Sequence, residues 1–318
     1  MTAVASPDLF PGSWQPQVVL MAALEVGLID ALLTTPTSPA AVARKLDLDE
    51  GATARVIAVL ADAGYLERRT EGVVVPSELR SFLDPADAAY VGDRLAHLRN
   101  MLERWLELPT VLRSGAPPRL GRTAESRRAF VGAMRAGARG RADLIARRLA
   151  ELFPATRSVL DVGGGPVTQA LAFRRLGWQV SVLDLPEVIE LTADELKRAG
   201  IAVVSADAVR KIPAAGYDLL FCGNLFHALS PADCWAVVGN AAAALRHGGV
   251  LAIYDFLRGS GLVSSLFAVN MLVATSAGDV YGEEEYRRWC EAADLRGFRV
   301  HVLAGQPQRL LTAVKRPV

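Results

Sequence analysis

Apolar residues recur at three- and four-residue intervals from Val18 to Leu33, which predicts an amphipathic helix stopped by Pro36-Thr37-Ser38-Pro39. A short helix follows over Pro39–Leu46. After the Asp47-Leu48-Asp49-Glu50 link, a third covers Ala52–Ala63, with Val56, Val59 and Leu60 as its buried stripe. Gly64 caps that helix, and Tyr65-Leu66-Glu67 and Gly72-Val73-Val74-Val75 read as two short strands around a polar turn. Three helices and a hairpin predict a winged-helix-like unit over residues 1–85. Residues 86–152 keep helical spacing, broken at Pro109 and at Gly115-Ala116-Pro117-Pro118, and read as a helical connector placed to shape a pocket.

From Ser158 the pattern changes to apolar runs of strand length alternating with helices. Ser158–Val162, Gln179–Leu183, Ala202–Ser205, Leu219–Cys222 and Val250–Tyr254 read as buried parallel strands. Helices near Thr168–Leu176, Glu187–Ala199 and Ala232–Leu245 separate them, and two more helices with the strands Arg299–Leu303 and Leu310–Ala313 finish the chain. This alternation predicts an α/β fold over residues 153–318, a Rossmann-like, seven-stranded, doubly wound sheet whose ligands bind beyond the carboxyl ends of its strands.

Composition adds bounds. With 51% apolar and 22% charged residues the chain is an ordinary globular protein, and 318 residues suit two folding units. A net charge of +1 gives no global attraction to nucleic acid or anionic membrane. Cys222, Cys234 and Cys290 form no CxxC pair and are expected to be reduced, buried thiols. The N-terminus has no signal-peptide pattern and no run reaches the ~20 apolar residues of a membrane span, so the expected location is cytoplasmic.

Candidate chemistry gathers on three aspartates. Asp161, Asp184 and Asp207 are equally spaced, each at or just beyond the end of a predicted strand, so they should face one crevice. Gly163-Gly164-Gly165 follows the first, where absent side chains let the backbone turn sharply and approach a ligand. Asp184, about 20 residues beyond the glycines, is placed to accept both hydroxyls of a ribose. It also suits a helix cap before Leu185-Pro186-Glu187, and the two roles are compatible. A pyrophosphate wants free N–H groups at the helix start, and Pro166 removes one, which favours a cofactor without phosphates such as an adenosyl sulfonium.

The runs LDVGGGPVTQALAFRR, VSVLDLPEVIE, YDLLFCGNLFHALSPADC, LRHGGVLAIYDF and AVNMLVATSAGDVYGEEEYRRW resemble the bacterial and plant small-molecule O-methyltransferases, which include antibiotic-tailoring, caffeate and acetylserotonin enzymes. The N-terminal half is similar to their winged-helix dimerisation domain. The resemblance implies a class I methyltransferase domain, a homodimer, S-adenosylmethionine as cofactor, S-adenosylhomocysteine as product, and no metal. It implies that Gly163 and Gly165 line the methionine part, that Asp184 holds the ribose, and that Asp207 and Ala208 border the adenine, with Asp161, Leu185 and Asn224 also at the cofactor. It places His227 as general base, Asp255 as its orienting acid, and Phe130, Met134, Asn270 and Met271 at a small-molecule substrate, expected to be a phenolic secondary metabolite. Other pocket walls are expected from the helices containing Trp105 and Phe173. The chemistry agrees with these roles: a phenol of pKa near 10 is a poor nucleophile at neutral pH until a base takes its proton, and histidine suits that task.

The chain departs from the family pattern in three places. Val167 stands where a third glycine is usual and could crowd the methionine end of the cofactor. Ala228-Leu229 replaces an Asp-Trp pair after the histidine, and Val280 a flanking glutamate. Relatives that keep the cofactor for non-methylating chemistry, such as hydroxylation with decarboxylation or pericyclic catalysis, are therefore the alternative reading. A DNA-binding regulator is a remote one: residues 1–100 carry thirteen acidic against eight basic residues, the wrong sign for a groove-reading face. The basic stretch Arg119–Arg148 reads as a solvated helix face, or as a site for an acidic substrate or the cofactor carboxylate, with Arg139 the first residue to test.

Overall fold

The computed structural model describes residues 14–87, 89–118, 123–138, 140–213 and 216–317, without the side chains of residues 124, 125, 127 and 128. Arg119, Arg122 and Arg139, and the side chains of Arg127 and Arg128, thus lie outside the described residues. The chain divides into two compact units, Met1–Asn100 and Met101–Val318, so the expected connector 86–152 falls on both sides of the division.

In the first unit α1 (Gln15–Glu25) and α2 (Leu28–Ala31) replace the single helix expected over Val18–Leu33. Gly27, at φ 75°, takes the left-handed conformation that ends one helix before the next begins. Helix α3 (Pro39–Lys45) is capped by the Ser38 hydroxyl, which accepts from the Ala41 N–H, and α4 (Glu50–Asp62) by Asp49, which accepts from Ala52 at 2.7 Å. The stripe α4 buries is Thr53, Ile57 and Leu60, whereas Val59 is 40% exposed. Apolar residues cover most of this helix, so spacing alone could not select the face. The hairpin pairs β1 (Glu67–Arg69) with β2 (Gly72–Val74), its first strand two residues later than expected. Thr37 exchanges two 3.0 Å backbone hydrogen bonds with Val73. The close approach of Thr37 to Gly72 leaves no room for a Cβ there. Helix α5 (Ser77–Leu83) completes a core centred on Leu28, Ile29, Leu32, Val42 and Leu60.

Helix α6 (Gly92–Leu106) is followed in the second unit by α7 (Leu108–Ser114), α8 (Ala124–Ala138) and α9 (Arg141–Leu152). Strands and helices then alternate: β3 (Ser158–Val162), α10 (Thr168–Arg175), β4 (Gln179–Asp184), α11 (Pro186–Arg198), β5 (Ala202–Ser205), β6 (Tyr217–Gly223), α12 (Pro231–Ala244) and β7 (Leu245–Asp255). Helices α13 (Leu262–Ala274) and α14 (Glu283–Ala292) precede β8 (Leu295–Val302) and β9 (Arg309–Lys315). The seven-stranded sheet has the order β5-β4-β3-β6-β7-β9-β8, parallel from β5 to β7 and antiparallel at β9 and β8.

Alternation along the strands sorts side chains into two cores. Leu160, Leu220, Cys222, Leu251 and Ile253 pack with α12 and α14, while Val159, Leu219, Phe221, Ala252 and Tyr254 pack with α9 and α10. Each fully buried aliphatic or aromatic side chain contributes roughly 1.5–3 kcal/mol through removal from water. Phe173, whose helix was expected to wall a pocket, belongs to the second core, stacked on Trp178 at 5.5 Å and edge-on to Phe221 at 5.4 Å. The three cysteines are free and buried. Among the described residues, no helix is long and apolar enough to cross a membrane. β3 has β4 on one side and β6 on the other, so the chain reverses direction of travel across the sheet at β3, and sheets of this kind bind ligands in the crevice beyond the strand ends at that point.

Candidate active site

The loop after β3 forms one lip of this crevice. Gly163, at φ 75°, donates its N–H to the Leu183 carbonyl at 2.8 Å, and Val167 N–H closes the turn on Gly164 O at 2.8 Å. A Cβ on Gly164 would lie 2.7 Å from Asp161 Oδ2, and one on Gly165 would strike Val188 and lie 2.8 Å from Asp184 Oδ2. Gly164 and Gly165 thus have no room for a side chain. Val167 also has a left-handed backbone, at φ 65°, where a β-branched residue is strained. Its side chain is only 1% exposed and packs into the core with α9 and α10.

Two of the aspartates meet under that loop. Asp161 is 2% exposed and its Oδ2 has no hydrogen-bond partner. Burial, with the nearby Asp184 charge, pushes its carboxyl up to about 8. Asp184 is also raised, chiefly by burial, while its oxygens accept 2.8 Å hydrogen bonds from the Leu185 and Gly165 N–H groups. One oxygen takes one N–H, so each keeps acceptor capacity. The Ala206 N–H bonds Asp184 O at 3.0 Å, bringing the end of β5 alongside. Asp207 accepts from Val209 N–H at 2.9 Å, and Asn240 holds the Ala208 and Val209 carbonyls at 2.9 and 3.0 Å.

The loop after β6 forms the other lip. Asn224, left-handed at φ 54°, donates its N–H to Tyr254 O at 2.8 Å, and Leu225 lies 3.4 Å from where a Gly163 Cβ would be. A single 3₁₀ turn, Phe226–Ala228, then presents His227. Phe226 anchors it, fully buried against Tyr286 and Trp289, and Tyr281 Oη donates to Leu229 O at 2.6 Å.

His227 Nδ1 lies 2.6 Å from Oδ1 of Asp255, the last residue of β7, which is fully buried. The same carboxylate accepts from the Phe256 N–H at 2.8 Å and the His227 N–H at 3.2 Å. An ionised carboxylate only accepts, so Nδ1 carries its hydrogen as the donor and the Nε2 lone pair is left open. The imidazole is further held by Phe267 of α13, edge-on at 4.7 Å, itself stacked 3.9 Å from Phe256.

Several of these supports were not legible in the sequence. Phe267 and Asn240 sit in apolar helices without a marking motif. Gly278 resembled any loop glycine, yet a Cβ there would strike His227 O and lie 3.2 Å from Ala228 Cα. Asn270 lies one turn beyond Phe267 on α13 and accepts from Trp105 Nε1 at 3.0 Å, and Met271 is buried. Phe130 and Met134 lie on α8, exposed and half-buried, and this helix packs on α9 and α10. Val280 is buried. Two other histidines have separate contacts: His247 with Arg316 O at 3.0 Å and His301 with Thr312 Oγ1 at 2.9 Å. Among the described residues no three His, Cys, Asp or Glu side chains gather in a metal-ligating group.

Comparison with known proteins adds a sequence match to the O-methyltransferase domain family over residues 114–299. The chain is 26% identical over 304 residues to a 3-hydroxy-5-methyl-1-naphthoate 3-O-methyltransferase of Streptomyces sahachiroi, covering 90% of this chain and 87% of that one. It is 25% identical over 312 residues to the tetracenomycin polyketide synthesis 8-O-methyl transferase TcmO of Streptomyces glaucescens, covering 90% and 89%. In fold it matches a solved structure of PigF with SAH at a TM-score of 0.83 and 24% identity, over 94% of this chain and 96% of that one.

Proposed function

Given that the chain belongs to the O-methyltransferase family and is an enzyme of it, we propose that it methylates a phenolic hydroxyl of a small secondary metabolite, with His227 as general base, Asp255 as its orienting acid and S-adenosylmethionine as methyl donor. The observation that carries this reading is the 2.6 Å His227–Asp255 contact at the mouth of the glycine-lined crevice, which leaves Nε2 as an acceptor. One relative named for methylating a hydroxynaphthoate, and another named for tetracenomycin polyketide synthesis, support an aromatic acceptor. PigF holding SAH supports the cofactor.

The residues present fit that cofactor. Asp184 keeps lone pairs for two ribose hydroxyls, the bare Gly163-Gly164-Gly165 backbone admits close approach, and the orphaned Asp161 Oδ2 suits a cationic or hydrogen-bond-donating group. Asp207, Ala208, Leu185 and Asn224 complete its border. When bound, the cofactor supplies an electrophilic methyl group on a sulfonium, which needs no further activation. His227 Nε2 takes the phenolic proton as the oxygen attacks, and Asp255 stabilises the resulting imidazolium. Asn270 and Met271, near Phe267 on α13, with Phe130 and Met134 on α8, border the acceptor. The N-terminal winged-helix-like unit, residues 1–85, serves for homodimerisation, which the exposed Val18, Val26 and Val59 support.

The test is incubation with methyl-labelled S-adenosylmethionine and a panel of hydroxynaphthoates and polycyclic phenols, following label and product mass. Label on a phenolic oxygen is expected. Product formed without label, or with S-adenosylhomocysteine replacing the donor, would overturn methyl transfer as the reaction.

A further inference from the structure

The backbone around His227 is seated by a distant stretch of chain. Among the described residues Asp255 is the one carboxylate paired with the imidazole, and Val280, buried, offers no second acid. Residues 275–282, the strap that joins α13 to α14, lie against the turn instead. Gly278 approaches the His227 carbonyl so closely that a Cβ there would strike it, and would also lie 3.2 Å from Ala228 Cα. Just beyond the turn, the Tyr281 hydroxyl donates to the Leu229 carbonyl at 2.6 Å. The strap therefore meets the chain both at His227 and after it.

One side chain fixes this strap to the sheet. Arg258 follows the end of β7, and its N–H donates to Tyr281 O at 2.9 Å. Its guanidinium reaches Asp279 Oδ2 through Nη2 and Glu285 Oε2 through Nη1, each at 2.9 Å. Both carboxylates also grip the strap's backbone: Asp279 Oδ1 accepts from the Val280 N–H and Glu285 Oε2 from the Gly282 N–H, each at 2.7 Å. At the α13 end, Thr275 Oγ1 accepts from the Gly278 N–H and donates to Met271 O, each at 2.9 Å. Arg258 is thus the cross-link between the strand end that carries Asp255 and the strap that seats His227.

Such a cross-link bears on geometry more than on folding. The side chains of Arg258 and Asp279 are 51% and 49% exposed, and ion pairs so open to water add little stability. The buried Val280 and Tyr281 keep the strap folded without it. A reacting group, by contrast, is sensitive to small shifts, since misplacement by about 1 Å can cost on the order of 100-fold in rate.

We propose that Arg258 is a positioning residue for the general base, holding residues 275–282 against the Phe226–Ala228 turn and so setting where His227 Nε2 meets the acceptor hydroxyl. This rests on the reading of His227 as base.

Rates on two acceptors of the same shape test it in the full chain. 1-Naphthol must lose its proton during the reaction, whereas 4-nitro-1-naphthol is already ionised at neutral pH and has no need of a base. Arg258→Met, which keeps apolar bulk and loses both pairs, should lower kcat about tenfold on the first and less than about twofold on the second. Its melting temperature and its affinity for S-adenosylhomocysteine should stay close to wild type. Arg258→Lys, able to hold one carboxylate at a time, should recover part of the 1-naphthol rate. Tyr281→Phe should show the same selectivity, and combining it with Arg258→Met should add less than about twofold, because both act through one strap. Equal loss on both naphthols, no loss on 1-naphthol, or full additivity of the two substitutions overturns the proposal. His227→Ala run alongside guards the premise: a wild-type rate on 1-naphthol in that variant refutes the base reading itself, apart from Arg258. Should Arg258→Met melt early, Arg258→Lys carries the same comparison of naphthols.

Discussion

Replacing His227 by alanine removes the only group in the proposed mechanism that takes the acceptor proton, and the size of the effect follows from the acceptor's own acidity. A phenol of pKa near 10 is ionised in about one molecule of 300 at pH 7.5, since 2.5 pH units separate the two. An enzyme without its base must wait for that fraction, so kcat should fall by about 10²–10³, within the range for loss of a general base and equal to roughly 3–4 kcal/mol of barrier. The variant should then gain about tenfold in rate per pH unit between pH 7 and 9, because hydroxide in solution supplies what Nε2 no longer does. Wild type should lack that slope. The affinity for S-adenosylhomocysteine should stay within about twofold, because the imidazole is committed to Asp255 and Phe267 rather than to the glycine lip. The assay is initial rate across pH on one phenol, with calorimetry alongside. A His227→Ala enzyme within about fivefold of wild type at pH 7.5, or one whose rate does not climb with pH, would refute the base assignment.

Four further outcomes are expected. Gly278→Ala, which forces a Cβ onto the His227 carbonyl, should lower kcat at least tenfold with cofactor affinity unchanged; equal loss of both in kinetics and calorimetry would show general misfolding. Asp161, held up to about 8 by burial, favours its neutral form when folded. Its contribution to stability is therefore full below the ordinary carboxyl range near 4 and lost as pH rises through about 8. Asp161→Asn should flatten the fall in Tm between pH 5 and pH 9, and an unchanged slope in thermal melts counts against the assignment. Val167→Gly should cost less than a usual buried Val→Gly change, because relief of about 1–3 kcal/mol of backbone strain offsets lost packing of roughly 1.5–3 kcal/mol; a denaturant-measured loss above about 4 kcal/mol would contradict the strained geometry. Light scattering should find a homodimer, and Val18→Asp with Val59→Asp should weaken it; a wild-type monomer at micromolar concentration would rule out that role for the first unit.

The sequence by itself determined the alternation of strands and helices, the number of strands, and the placing of Asp161, Asp184 and Asp207 at strand ends. Hydrophobic periodicity is a local signal, and so are the glycine and proline punctuation marks. It also singled out His227 and Asp255, through the motifs around them. Where apolar residues cover a whole segment, local pattern fails: Val18–Leu33 held a break at Gly27, and α4 buried Leu60 as expected but with Thr53 and Ile57, leaving Val59 exposed. Only the tertiary structure decided that Val167 points into the core instead of the crevice, that Phe173 belongs to the sheet core, and that Phe267, Gly278 and Asn240 brace the site. These residues act on partners tens of positions away, and which side chains meet is set by the order in which strands join the sheet. That order places β6 beside β3 and β7 beside β6, and so brings His227 to Asp255 across 28 residues of chain.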